Sequence, residues 1–461
     1  MSLWTAAEIA QATGGAASAP FAVSGVAFDS REVGPGDLFV AMKGETTDGH
    51  KFLDKAFAQG AAGALVSEGT QHPHVRVPDS AAALEALGRA SRARMAGKVI
   101  GVTGSVGKTG TKEALFQALD RAAPGRVHRS VKSYNNHVGV PLSLARMPRD
   151  SDYGVFEMGM NHAGELAALT RQVRPHVAIV TAIAPAHIEF FGTEAKIAEA
   201  KAEIFEGLEP DGTAIIPYDS PHVATLYNKA ERHAARILTF GMSRDADVHA
   251  LETVPAPGGG TLVTAKLPEA ELCFTVAAPG DHWVSNALAV LAAVEAVGGD
   301  VAAAGLALAE MPGLPGRGER RVLRVEGGEA LLIDESYNAN PLSMAATLKQ
   351  LGREKAQRRI AILGGMRELG DQSAALHAGL AEPLVAGQVD HAILVGPEMT
   401  PLAGALAGLA HDHVADTAAA IPLIQDMMRP GDAILVKGSN GVGLSRLVAA
   451  LADAARDGDD N

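Results

Sequence analysis

Cysteine is almost absent: the 461 residues hold one, Cys273, so neither an intrachain disulfide nor a cysteine metal cluster can form. A reducing compartment fits that count. Aromatic residues make up only 4%, with 2 Trp, so the cores must be built from Ala, Val, Leu and Ile. A basic excess is lacking too. Asp plus Glu number 53 against 40 Lys plus Arg, for a net charge of −13. That excludes a general nucleic-acid binder and leaves room for an anionic small substrate in a locally basic cleft. No apolar run reaches the roughly 18 residues of a membrane helix; the run from Asn286 to Val297 is short and broken by Glu295. The start, Met-Ser-Leu-Trp-Thr-Ala-Ala-Glu, lacks the basic-then-apolar order of a secretory signal. The expectation is a cytoplasmic protein with no membrane insertion and no nucleic-acid partner.

What is present is a globular composition, 47% hydrophobic against 20% charged, in a chain long enough for about three domains. Apolar strand-like runs alternate with helical patterns. Lys98–Thr103, Tyr153–Met158, Val177–Ile183 and Thr213–Pro217 read as strands, with helices through Asp120, over Gly164–Val173 and over Glu194–Leu208. Such alternation predicts an α/β fold with a parallel sheet covered on both faces. A smaller alternation precedes Lys98, with strands at Leu38–Met42 and Ala64–Ser67. Pro255–Gly260 sits in a β-rich hairpin region, and Met311–Gly316 reads as a linker. Beyond it Leu331–Asp334, Ile360–Gly364, Ala392–Val395 and Ala433–Val436 restart the pattern. The expected domains are 1–96, 97–312 and 313–461, with an acidic tail from Asp457 to Asn461 expected to fray.

Gly101-Val-Thr-Gly-Ser-Val-Gly-Lys-Thr109 lies between a predicted strand and a predicted helix, the setting of a phosphate-binding loop. Its glycines let amide N–H groups approach phosphate oxygens, and the helix N-terminus adds partial positive charge. Lys108 can reach the β and γ phosphates, and Thr109 can offer a hydroxyl to Mg²⁺. The strict pattern wants a glycine where Val102 stands, so Gly104 takes the turn. A guanine-specific switch needs Asn-Lys-x-Asp, and Asn228-Lys-Ala-Glu231 ends in Glu.

Ligands of open α/β sheets bind beyond the carboxyl ends of the strands. Glu157, His187 and Asp334 fall at such ends. Taken singly they also read as a helix N-terminal acid, a loop histidine and a turn former. Beside the phosphate loop, Glu157 and His187 make a good Mg²⁺–triphosphate site. His187-Ile-Glu189 superficially matches a zinc deaminase signature, but the required Cys-x-x-Cys is absent. Lys201, in Glu-Ala-Lys-Ala-Glu-Ile-Phe205, reads from its local pattern as a surface lysine paired along its helix.

Thr103–Thr109, Glu157, Ala184-Pro-Ala-His187, Ala200–Phe205, Gly280-Asp-His-Trp-Val-Ser-Asn286 and Gly316-Arg317 together resemble the Mur ligases, the ATP-dependent amide-forming enzymes of peptidoglycan synthesis. The resemblance covers nearly the whole chain. Ser133-Tyr-Asn-Asn-His-Val-Gly-Val-Pro141 and Asp334-Glu-Ser-Tyr-Asn-Ala-Asn-Pro341 look most like the branch that adds D-alanyl-D-alanine to UDP-N-acetylmuramoyl-tripeptide. The Asp-Asn-Pro-Arg motif of the diaminopimelate-adding branch is absent. Two departures are Gly110, where Thr or Ser is common, and Gly365, where Asp is frequent.

The resemblance implies an N-terminal uridine-nucleotide domain, a central ATP-binding domain and a C-terminal Rossmann-like domain, working as a monomer. It implies ATP and Mg²⁺ as cofactors, with Lys108, Glu157, His187, Lys201 and Arg317 catalytic. Thr109, Glu157, His187 and a carbamylated Lys201 would hold metal. Gly104, Ser105, Gly107, His282, Asn286, Asp334, Tyr337, Asn338 and Asn340 would join Lys108, Thr109 and Arg317 around the nucleotide. Ser30, Arg31, Lys43, Asn135 and Asn136 would bind the UDP substrate, and Lys437-Gly-Ser439 is a candidate for part of the dipeptide region. A folylpolyglutamate synthetase and a non-ligating P-loop ATPase stay open as alternatives, the first disfavoured by the segment Asp29–Gly44.

Overall fold

The computed structural model describes residues 2–44, 47–257, 259–311 and 313–457. Three main sheets take their strands from successive stretches of the chain. The first has five strands, in the order Ala16–Ala17, His74–Arg76, Gly63–Val66, Asp37–Val40 and Gly25–Ala27. The last four run parallel. Gly63–Val66 is buried on both faces, as a parallel strand covered on both sides must be. Helix Ser80–Arg94 starts where the Asp79 carboxylate accepts the Ala81 and Ala82 N–H groups. It packs on helix Gly139–Ala145, whose Leu142 and Ala145 complete the first core. The Trp4 indole N–H donates to the Ala145 carbonyl at 2.8 Å, so the middle of the chain helps to build the N-terminal unit.

The second sheet has nine strands: Glu271–Val276, Thr261–Lys266, Val248–Pro255, Arg236–Gly241, Thr213–Pro217, Val177–Val180, Lys98–Thr103, Tyr153–Glu157 and Val127–Arg129. The pairings from Val127–Arg129 through Val248–Pro255 are parallel, but Thr261–Lys266 pairs antiparallel with both Val248–Pro255 and Glu271–Val276. The expected parallel sheet thus carries antiparallel strands at one edge, in the region around Pro255–Gly260 that reads as a β-rich hairpin. Those edge strands alternate buried and open positions, the mark of a sheet with one solvated face. The expected strand Val177–Ile183 stops at Val180, and beyond it the Thr181 hydroxyl reaches the Thr103 and Val106 carbonyls of the phosphate loop's strand and turn. The expected helix Glu194–Leu208 ends at Ala202 and tightens into a 3₁₀ turn over Glu203–Gly207. Helix Asp281–Ala296, whose Ala287–Val294 are all buried, runs through the core rather than across a membrane. Among the described residues no helix is long and apolar enough to span one.

His128, on the edge strand Val127–Arg129, donates its ring N–H to the Ser143 carbonyl at 2.8 Å. Burial holds its pKa down to about 4. The folded state therefore binds fewer protons than the unfolded chain between about pH 6.5 and 4. Stability is complete above that window and declines as pH falls through it. The expected loss is about 2 kcal/mol, discounted because the side chain is half-buried. His128→Asn, which can still donate to Ser143, is expected to flatten that slope in denaturant melts taken from pH 7 to 4.

The third sheet has six strands, in the order Glu319–Val325, Gly328–Glu335, Asp432–Lys437, Arg358–Gly364, His391–Val395 and Ala410–Val414. Only the first pairing is antiparallel. One apolar cluster joins the second and third units through Ile188, Phe191, Met366 and Leu369. Residues 458–461 of the acidic tail lie outside the described residues.

Candidate active site

The second sheet changes direction beside Lys98–Thr103. The chain first moves to Val127–Arg129 and Tyr153–Glu157 on one side, then to Val177–Val180 on the other. A crevice must open at the carboxyl end of such a switch point. Here it meets the carboxyl ends of the third sheet's strands Gly328–Glu335 and Asp432–Lys437. Between them lies a cavity of about 550 Å³.

Ser105–Gly110 line one wall. A Cβ on Gly104 would stand 1.9 Å from the Thr181 Oγ1, and Gly107 has φ +87 against the Asn286 amide, so both turns need glycine. Lys108 Nζ donates to the Gly104 carbonyl at 2.6 Å. Burial lowers the Lys108 pKa, the Arg317 charge lowers it further, and Glu157 opposes both. Thr109 donates its hydroxyl to Glu157 Oε2 at 2.8 Å, and Asn135 Nδ2 donates to Oε1 at 2.8 Å. Glu157 is 1% exposed. Gly110 packs under the Trp283 ring, where a Cβ would sit 3.3 Å from the ring edge.

Lys201 is no surface lysine. It is 1% exposed and lines the cavity, and among the described residues none forms a hydrogen bond or ion pair with its ammonium. Burial first, and the Lys108 charge second, hold its pKa far below the usual lysine range. His187, at φ +60, turns its ring to the Glu368 carboxylate of the third unit. That hydrogen bond is the main cause of the lowered Glu368 pKa. The Glu368 carbonyl also accepts the Glu189 N–H at 3.2 Å.

Arg317, Tyr337, Asn338 and Asn340 face the phosphate loop from the other wall, and His282 and Asn286 line the same space. The Arg317 guanidinium stacks on the Tyr337 ring at 4.2 Å, and the Tyr337 hydroxyl donates to Ser133 Oγ at 3.0 Å. Asp281 adds ion pairs to Lys349 and Arg353, each at 3.2 Å, so the two units are closed on each other.

Some expected site residues lie elsewhere. Asp334 is buried but does not line the cavity, because its carboxylate accepts the Gly316 and Ser336 N–H groups at 2.9 and 3.0 Å. It holds the hinge turn that presents Arg317, and its neighbour Glu335 reaches the cavity instead. Asn136 accepts the Val138 and Gly139 N–H groups and shapes a helix start. Ser30 is buried, Arg31 pairs with Asp29 and Lys43 with Glu68, all outside this cavity. Lys437 lines the cavity, but its ammonium is already bound to Glu335 at 3.3 Å and to the Asn338 carbonyl at 3.1 Å. Sequence reasoning missed Glu335, Glu368 and Lys112. The signal for Glu335 was its place at a strand end, one residue beyond Asp334.

Two α/β units closed on a phosphate loop, with a hinge arginine opposite its lysine, define a nucleotide-dependent ligase. The chain belongs to the Mur ligase family. Family models described as "Mur ligase family, catalytic domain", "Mur ligase middle domain" and "Mur ligase, glutamate ligase domain" match residues 22–96, 102–294 and 320–440. It is 34% identical over 438 residues to the UDP-N-acetylmuramoyl-tripeptide–D-alanyl-D-alanine ligase of Escherichia coli strain K12, covering 94% of each chain. A crystal structure of MurF from Acinetobacter baumannii superposes with a TM-score of 0.85 at 32% identity, covering 98% of this chain and 99% of that one. The MurF ligase of Thermotoga maritima in complex with ADP gives 0.79 at 27% identity, covering 94% and 98%.

Proposed function

We propose that this chain joins D-alanyl-D-alanine to the terminal carboxylate of UDP-N-acetylmuramoyl-tripeptide, with ATP, in peptidoglycan synthesis. The observation that carries this is the convergence of Lys108, from the phosphate loop, and Arg317, from beyond the hinge, on one cavity. A carboxylate resists amine attack because its oxygen is a poor leaving group. It takes the γ-phosphoryl group of ATP, forming a C–O–P bond and releasing ADP. The dipeptide amine then attacks the carbonyl carbon, phosphate departs, and the amine loses a proton. Lys108 and Arg317 hold the charge that spreads over the phosphoryl oxygens. Closure between His187 and Glu368, and between Tyr337 and Ser133, keeps water from the acyl phosphate.

The donor set suits Mg²⁺. Among the described residues no three His, Cys, Asp or Glu side chains converge into a ready cage. Magnesium is commonly held by one or two protein groups together with substrate phosphates. Thr109, Glu157 and His187 are the protein groups here, and the bound ion supplies positive charge to the triphosphate. Lys201 completes the set as a carbamate. Its neutral amine adds to CO₂ with loss of a proton, turning a buried group without a partner into an anionic oxygen donor. Ser30, Arg31 and Lys43 belong to the uridine-nucleotide end, where Arg31 and Lys43 can neutralise the diphosphate. The enzyme is expected to act as a cytoplasmic monomer, where its charged nucleotide substrates are held.

Phosphate release tests this function. It should require UDP-tripeptide and D-alanyl-D-alanine together. Release with folate and glutamate, or with ATP alone, would favour the two other functions. Arg317→Ala should lower kcat by about a hundredfold while weakening ADP binding less than about fivefold, because its contact belongs to the closed state. Steady-state kinetics beside ADP titration decide it, and equal losses would mean a simple binding role.

A further inference from the structure

Lys112, one turn beyond Thr109, takes no part in the chemistry above, yet it is 0% exposed. Its Nζ donates to the Lys132 carbonyl at 2.9 Å, meets the Glu113 carboxylate at 2.9 Å and stands 4.0 Å from Glu157 Oε2. A buried ammonium is costly unless it is paired and hydrogen-bonded, and Leu or Met would fill a helix face without that cost. Glu113 is already bound by Arg129 at 2.8 Å, so Glu157 shares in balancing Lys112.

The carbonyl it holds belongs to a residue with φ +53, a left-handed backbone that is unfavourable for lysine and persists only where its surroundings enforce it. That residue sits in the segment Ser130–Asn136, which touches all three units. Ser130 Oγ accepts the Glu157 N–H at 3.2 Å. The Lys132 ammonium and the Tyr134 hydroxyl both donate to Glu32, beside Arg31 in the N-terminal unit. Ser133 receives Tyr337 from the third unit, and Asn135 donates to Glu157.

We propose that Lys112 is a positioning residue: by holding the Lys132 carbonyl it sets one strained turn that places Asn135 on Glu157, Ser133 on Tyr337 and Tyr134 on Glu32. The uridine-nucleotide end, the phosphate site and the closing unit are thereby joined through one segment. The proposal rests on the ligase function above and adds a residue that touches neither substrate.

Hydrogen–deuterium exchange of residues 130–136 in the ligand-free full chain tests it, together with kinetics. Lys112→Met should speed exchange there by about tenfold or more. It should lower kcat by about a hundredfold while moving the KM for ATP less than about threefold. Lys112→Gln can still donate to the carbonyl, so it should restore the protection and about tenfold of the lost kcat. Wild-type exchange in Lys112→Met, or a Lys112→Gln variant no better than Lys112→Met, overturns the proposal. Should Lys112→Met fail to fold, Lys112→Gln decides: protection near wild type sustains the proposal and its loss overturns it. Exchange is read without substrates, so an inactive wild-type chain would count against the ligase function and not against this result.

Discussion

Lys108→Ala is expected to abolish ATP-dependent amide formation, with kcat down by at least about a thousandfold. The ammonium sits in the wall of the cavity against the Gly104 carbonyl, where a bound phosphate would take over its hydrogen bonds. UDP-tripeptide binding should survive, because Ser30, Arg31 and Lys43 lie outside this cavity. Calorimetric titration with UDP-tripeptide, beside a ligation assay, separates the two. Near-normal turnover would show that the phosphate loop had been assigned to the wrong chemistry. The substitution has a second consequence. The Lys108 charge helps to hold down the Lys201 pKa, so its removal should raise that pKa and make Lys201 slower to take up CO₂ at neutral pH.

Lys201→Ala is expected to lose at least about a hundredfold in kcat and to be partly rescued by formate or acetate, which can occupy the vacated oxygen site. The amine is buried and lies next to Lys108, and among the described residues no carboxylate pairs with it. A cation there would repel the metal, whereas a carbamate would attract it. Carbamate loss consumes a proton, so at fixed CO₂ wild-type activity should decline as pH falls, and the rescued variant should not show that component. Labelled bicarbonate offers a readout apart from turnover: a carbamate carbon signal should appear in wild type and be missing in the alanine variant. Wild-type activity in Lys201→Ala would end the idea.

The phosphate loop was legible because its chemistry is local. Gly104, Gly107, Lys108 and Thr109 are adjacent in the chain, and a strand-to-helix turn admits few other arrangements. Glu157 and His187 were legible as strand-end residues, since ligands gather at that edge of an α/β sheet. The antiparallel edge was only half legible: a hairpin region was visible, but the direction in which it joins the sheet depends on which face stays solvated.

Lys201 shows what local pattern leaves undecided. The glutamates flanking it on helix Glu194–Ala202 suggested a solvated lysine, yet the fold buries it in the wall of the cavity that the phosphate loop also lines. Burial, and after it the charge of Lys108 nearly a hundred positions away, hold its pKa down. Asp334 is the converse case. Its strand-end position pointed to a ligand, but two backbone N–H groups of the hinge claim its carboxylate and Glu335 takes the cavity. Lys112 carried no signal, because its role depends on a carbonyl twenty residues away in a turn that only the packed chain forms. Periodicity and turn chemistry act between near neighbours and so determine elements and loops from sequence. Desolvation, charge pairing and the approach of one unit to another act between residues that only folding brings together, so the burial and partners of these residues were decided by the tertiary structure.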